Sequence, residues 1–110
     1  MWLITPYGFY SVVENTNDSQ KQTVLVRSRN KEDLLNLSHF TKRPVCPFWM
    51  QDADYRYRII MPKTEWAAIV AQMANEIDYP NFKNRAPKAR KKIYTQVWWE
   101  LSALEDLENK

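Results

Sequence analysis

The chain has one glycine, one cysteine and one histidine in 110 residues, and each scarcity removes a class of function. A phosphate-cradling loop or a dinucleotide fingerprint needs several glycines close together, so Gly8 alone cannot build either. Turns must instead rely on Asn, Asp and Pro. A single cysteine, Cys46, excludes an internal disulfide and a multi-cysteine metal site, which points to a reduced, cytoplasmic setting. Long apolar runs are also missing. No stretch approaches the roughly 18 residues needed to cross a bilayer. The apolar start "MWLITPYGFYSVVEN" lacks a basic leader and is interrupted by Pro6 and Gly8, unlike a signal peptide. The expectation is a soluble protein with no membrane partner.

What is abundant is aromatic: four Phe, five Trp and six Tyr. With 45% apolar and 26% charged residues, the composition suits one ordinary folded domain spanning residues 1–110. The net charge of +3 is too small to name a polyanionic partner. Its distribution is uneven. Residues 83–92 hold six basic side chains and no acid, and residues 100–108 hold four acids and no base.

The hydrophobic period sets the elements. "WLITPYGFYSVVEN" reads as a strand, and "QTVLVRSR" alternates as a second, half-buried strand, forming an antiparallel hairpin with the first. Asn30 caps a short helix through Leu34, Leu35 and Leu37. The segment 41–54 is a loop whose Val45, Phe48 and Trp49 tuck into the core. Tyr55–Met61 is a strand stopped by Pro62. Trp66, Ile69, Val70, Met73 and Ile77 then follow a helical stripe. Pro87 opens a final helix with Ile93, Val97, Leu101 and Leu104 as its apolar face, and the tail frays over 107–110. The expected fold class is α+β: a small antiparallel sheet of about three strands with three helices packed mainly on one face, a two-layer sandwich.

Two basic constellations are candidate binding surfaces. Alternation that sends Val24, Val26, Ile59 and Met61 inward sends Arg27, Arg29, Arg56 and Arg58 to the uncovered sheet face. Guanidinium groups there suit phosphate or carboxylate and stack on bases, unless neighbouring carboxylates pair with them. Lys83, Arg85, Lys88, Arg90, Lys91 and Lys92 could follow a phosphate backbone. They also oppose the dipole of the helix they begin. Trp98 and Trp99, about 100° apart, cannot share the centre of one helix stripe, so one of them, with Trp99 the binding candidate, lies at the rim or in an interface or else acts as a lid on a small core.

The catalytic candidates are thin. His39 and Cys46 lack a patterned third partner, and Asp52 with Asp54 could serve acid–base chemistry or merely end a loop. No metal-ligand spacing and no cofactor motif occurs.

Motifs spread along the chain resemble those of a group of small bacterial proteins. They are "TPYGFYSVVE" (Thr5 to Glu14), "VRSR" (Val26 to Arg29) leading into "DLL", "DYRYRIIMPKTEW" (Asp54 to Trp66), "IDYPNFK" (Ile77 to Lys83) and "YTQVWWEL" (Tyr94 to Leu101). The resemblance implies a complete domain of a recurring kind and brings no activity or catalytic residue with it.

The first functional reading is a non-catalytic adaptor or inhibitor docking on a larger protein through Arg and Trp, with a homodimer allowed. The alternative is a single-stranded nucleic-acid-binding domain. A third reading is an enzyme acting through Asp52 and Asp54.

Overall fold

Pro6 and Tyr7 divide the first apolar run into two strands in the computed structural model, which describes residues 1–108. Strand β1 (Trp2–Thr5) pairs antiparallel with β2 (Gly8–Glu14). The turn is held by the Thr5 hydroxyl, which accepts from the N–H of Tyr7 at 3.0 Å and of Gly8 at 3.2 Å and donates to the Gly8 carbonyl. Gly8 sits at φ +154°, and a Cβ there would lie 2.4 Å from Cγ of Asp33. The sole glycine is therefore fixed by backbone conformation and by a close neighbour at once.

Strand β3 (Thr23–Ser28) follows a polar loop and pairs with β2. Within that loop the Asp18 carboxylate accepts from the Thr23 hydroxyl and from the N–H groups of Gln20, Gln22 and Thr23. These bonds, the Thr23 hydroxyl foremost, hold its pKa below the usual 3.8. Helix α1 (Lys31–Leu35) is capped by Asn30, whose side chain accepts from the Glu32 N–H, and runs on into a 3-10 turn over Asn36–His39. Two further strands, β4 (Phe48–Trp49) and β5 (Tyr57–Pro62), complete an all-antiparallel sheet of order β1-β2-β3-β5-β4. Helix α2 (Lys63–Asn75) starts directly after Pro62.

The register places Tyr10, Val12, Val24, Val26, Ile59 and Met61 on one sheet face. They form a single buried cluster with Leu34 and Leu37 from the α1 segment and with Trp66, Ile69 and Met73 from α2. The opposite face, presented by Phe9, Ser11, Val13, Leu25, Arg27, Arg58 and Ile60, carries neither of these helices.

The chain is α+β, as its periodicity implies, but the described residues hold five strands rather than three and four α-helices rather than three. One expected strand is a hairpin, because a threonine hydroxyl and a proline make a turn inside it. Phe48 and Trp49, expected in the core, form the edge strand and are 42% and 54% exposed. Pairing with β5 places both residues at the sheet edge without burying their rings. Of the α2 stripe, Ile77 lies past the helix end and is exposed.

Residues Met1–Ile77 and Asp78–Lys110 are two compact units. The second holds α3 (Phe82–Arg85), a 3-10 turn at Lys88–Arg90, α4 (Lys91–Leu101) and a 3-10 segment at Ser102–Leu107. Pro87 thus precedes a 3-10 turn instead of opening α4. Leu107 ends that last segment and Glu108 lies in a turn, while residues 109–110 of the tail expected to fray lie outside the described residues. No helix among the described residues is long and apolar enough to cross a membrane.

Candidate functional site: the open face of the sheet

Alternation along β3 and β5 does bring Arg27 and Arg58 to the same face, where they are cross-strand partners. Whether these groups are free or internally engaged is answered by their contacts. Arg27 donates from Nη2 to the Ser11 hydroxyl at 2.7 Å and from Nε to the Ser11 carbonyl at 3.3 Å. Arg58 donates from Nε to the Tyr55 carbonyl at 3.1 Å, with its Nη2 at 4.0 Å from Asp54. Arg29 donates to the Asp54 carbonyl at 3.1 Å.

The organising residue is Tyr55, which precedes β5 and is 6% exposed. The guanidinium of Arg27 lies 4.8 Å from its ring centre and that of Arg29 4.7 Å, and Phe9 meets it edge-on at 6.2 Å. A ring face carries negative quadrupole density, so one tyrosine draws two cations together that would otherwise repel. The expected fourth member does not join them. Arg56 is exposed, lies before the strand and makes none of the contacts that unite the other three. Three arginines are therefore ordered parts of the face, holding fixed positions with part of each group still at the surface.

Around them the face is apolar and open. Trp2, Ile60, Phe48, Val13 and Ile4 are exposed, Trp2 to 76% and Ile60 to 50%. Trp2 and Phe9 meet edge-on at 6.0 Å. Beside Phe48 and Ile60 runs a groove of about 440 Å³, lined also by Arg43, Val45, Cys46 and Glu65, with Arg43 and Glu65 paired at 2.8 Å. Sequence reading missed these apolar residues because it assumed one buried and one polar face. The doublets Val12–Val13 and Ile59–Ile60 were the available signal: adjacent strand residues point to opposite faces, so an apolar doublet makes both faces apolar.

The other basic residues lie in the second unit. Lys83 Nζ sits 4.3 Å from the centre of the Trp98 ring, and Arg85 Nε is 4.0 Å from Asp78. Arg90 donates to the Tyr94 hydroxyl at 3.1 Å, while Lys88, Lys91 and Lys92 are exposed. Trp99, exposed to 61%, packs edge-on against Trp98 at 4.8 Å. Of the expected apolar stripe, Ile93 and Leu101 are each 56% exposed, Val97 is half-buried, and Leu104, 59% exposed, lies past α4 in the 3-10 segment; Tyr94 is the one buried residue of the helix.

Of the nucleophile and base candidates, the base is engaged elsewhere. His39 stacks on Tyr7 at 5.2 Å and lies 3.4 Å from the Glu76 carboxylate, whereas exposed Cys46 lines the groove. Asp54 accepts from the Tyr55 N–H at 2.8 Å and lies 4.0 Å from Arg58. Comparison of the chain with protein-family models, with curated proteins and with solved structures gives no match.

Proposed function

We propose that the protein is a small non-catalytic interaction protein that docks on a larger protein partner through the open face of its sheet. The observation that carries this reading is the exposed apolar surface of Ile60, Phe48 and Val13 around two fixed arginines. Contiguous exposed apolar surface rimmed by polar groups marks interaction sites in soluble proteins. Arginines already held by Ser11 and Tyr55 lose little side-chain freedom on binding, and aromatic and Arg residues are the usual anchors of interfaces. The test is co-purification of an interacting protein with the wild type, Ile60→Lys and Leu101→Lys. The reading predicts one partner lost with Ile60→Lys and kept with Leu101→Lys. Loss with both variants, or with neither, refutes it.

A second reading has its own support: in the second unit, Lys88, Lys91 and Lys92 are exposed near in sequence to the exposed Trp98 and Trp99. Cations with stackable rings are how single-stranded nucleic acid is held without base readout. It predicts binding of single-stranded RNA that falls roughly three-hundredfold between 50 and 200 mM salt if about six phosphates are contacted. No binding at low salt would eliminate it.

A further inference from the structure

The two edges of the sheet end differently. One ends in β4, two residues long, and very short strands are a usual way to blunt an edge. The other ends in β1, "WLIT", which carries no charge, no proline and no bulge.

The hydrogen-bond phase of β1 is fixed at Met1. Its ammonium donates to the Val12 carbonyl at 2.9 Å, and the Val12 N–H donates back to the Met1 carbonyl at 2.8 Å. Antiparallel ladders alternate bonded and non-bonded pairs, so Leu3 and Thr5 turn their backbone groups toward β2. Trp2 and Ile4 turn theirs the other way, onto an edge that no strand among the described residues occupies. Their side chains share the open face, and both are exposed.

The geometry points to a second copy of this chain as the occupant of that edge, joined through antiparallel β1–β1 pairing about a two-fold axis at Leu3. That axis sets Trp2 opposite Ile4 of the second copy and Ile4 opposite its Trp2. Both members of each pair have outward N–H and C=O groups, so each pair closes both of its ladder bonds, and the edge is its own complement. On the open face the pairing makes a cross-strand aromatic–β-branched contact, a favourable combination. The two five-stranded sheets become one continuous sheet. A foreign extended peptide could meet the same backbone groups, but only a copy of β1 supplies both side chains in register. This interface uses the β1 edge and not Ile60 or Phe48, so it stands or falls separately from the docking reading.

The test is the mass of the full 110-residue chain by sedimentation equilibrium over a wide concentration series. Mass should rise with concentration toward twice the 13.2 kDa of one chain. Ile4→Pro removes only an outward-facing N–H, which an edge strand tolerates, and should hold the mass at one chain with the far-UV spectrum unchanged. Ile4→Lys, placing a charge at an exposed position, should do the same and serves if the proline variant misfolds. In a Cys46→Ser background, Trp2→Cys/Ile4→Cys should give a covalent dimer on oxidation. A wild type of single-chain mass throughout overturns the proposal. So does a dimer that survives both Ile4 variants, or one that the paired cysteines fail to cross-link.

Discussion

Helices α2 and α4 have the same kind of sequence, with apolar residues at intervals of three and four, and opposite fates. In α2 the stripe is spent on the core: Trp66, Ile69 and Met73 are 5%, 1% and 9% exposed. In α4 both ends of the corresponding stripe, Ile93 and Leu101, lie open to solvent, and its helix also begins with lysines and is followed by acids, against its own dipole. Periodicity states that a helix has an apolar face. It does not state that the same chain covers that face.

The comparison can be broken by mutation. The largest effect is expected at Ile69→Ala, which should destabilise the Met1–Ile77 unit by about 2–5 kcal/mol, read by denaturant unfolding. A loss below about 1 kcal/mol would mean that α2 is no better packed than α4. Next comes Gly8→Ala, which places a methyl group against Asp33 at a positive φ. Overpacking and backbone strain together predict a loss of about 2–4 kcal/mol. Leu101→Ala should change stability by no more than about 0.5 kcal/mol, because its side chain already faces water. A larger loss would show that a second chain covers α4 in solution, and the effect would then depend on concentration. The smallest effect is electrostatic. Asp18 has a depressed folded-state pKa, so its contribution is complete above 3.8 and is lost as pH falls through the lower, folded value. Below pH 3.8 the melting temperature should drop more steeply for the wild type than for Asp18→Asn.

The parts of the fold legible in the sequence were those where one local rule decides the outcome. Val24 and Val26 alternate cleanly, Asn30 supplies a cap, and Trp66, Ile69 and Met73 recur at helical spacing. The parts that were not legible depend on partners distant in sequence. The β1–β2 turn rests on a hydroxyl bonding to backbone two and three residues on, inside a run that reads as strand throughout. Tyr55, which looks like the first inward residue of β5, instead lies against Phe9 and two arginines. Parity placed Arg27 and Arg58 on one face correctly, but it carries no information on Ser11 or Tyr55. Arg56 kept the parity and lost the contacts, because the strand begins one residue after it.

The Asp33 carboxylate occupies the space that any side chain at position 8 would need, and the same group accepts from the Phe9 N–H at 3.0 Å across 24 residues of sequence. The final hydrogen bond of the first hairpin's turn region is thus made to a residue from outside the hairpin. A side chain added at position 8 would disturb two places at once, the hairpin and the start of α1, because one carboxylate serves both.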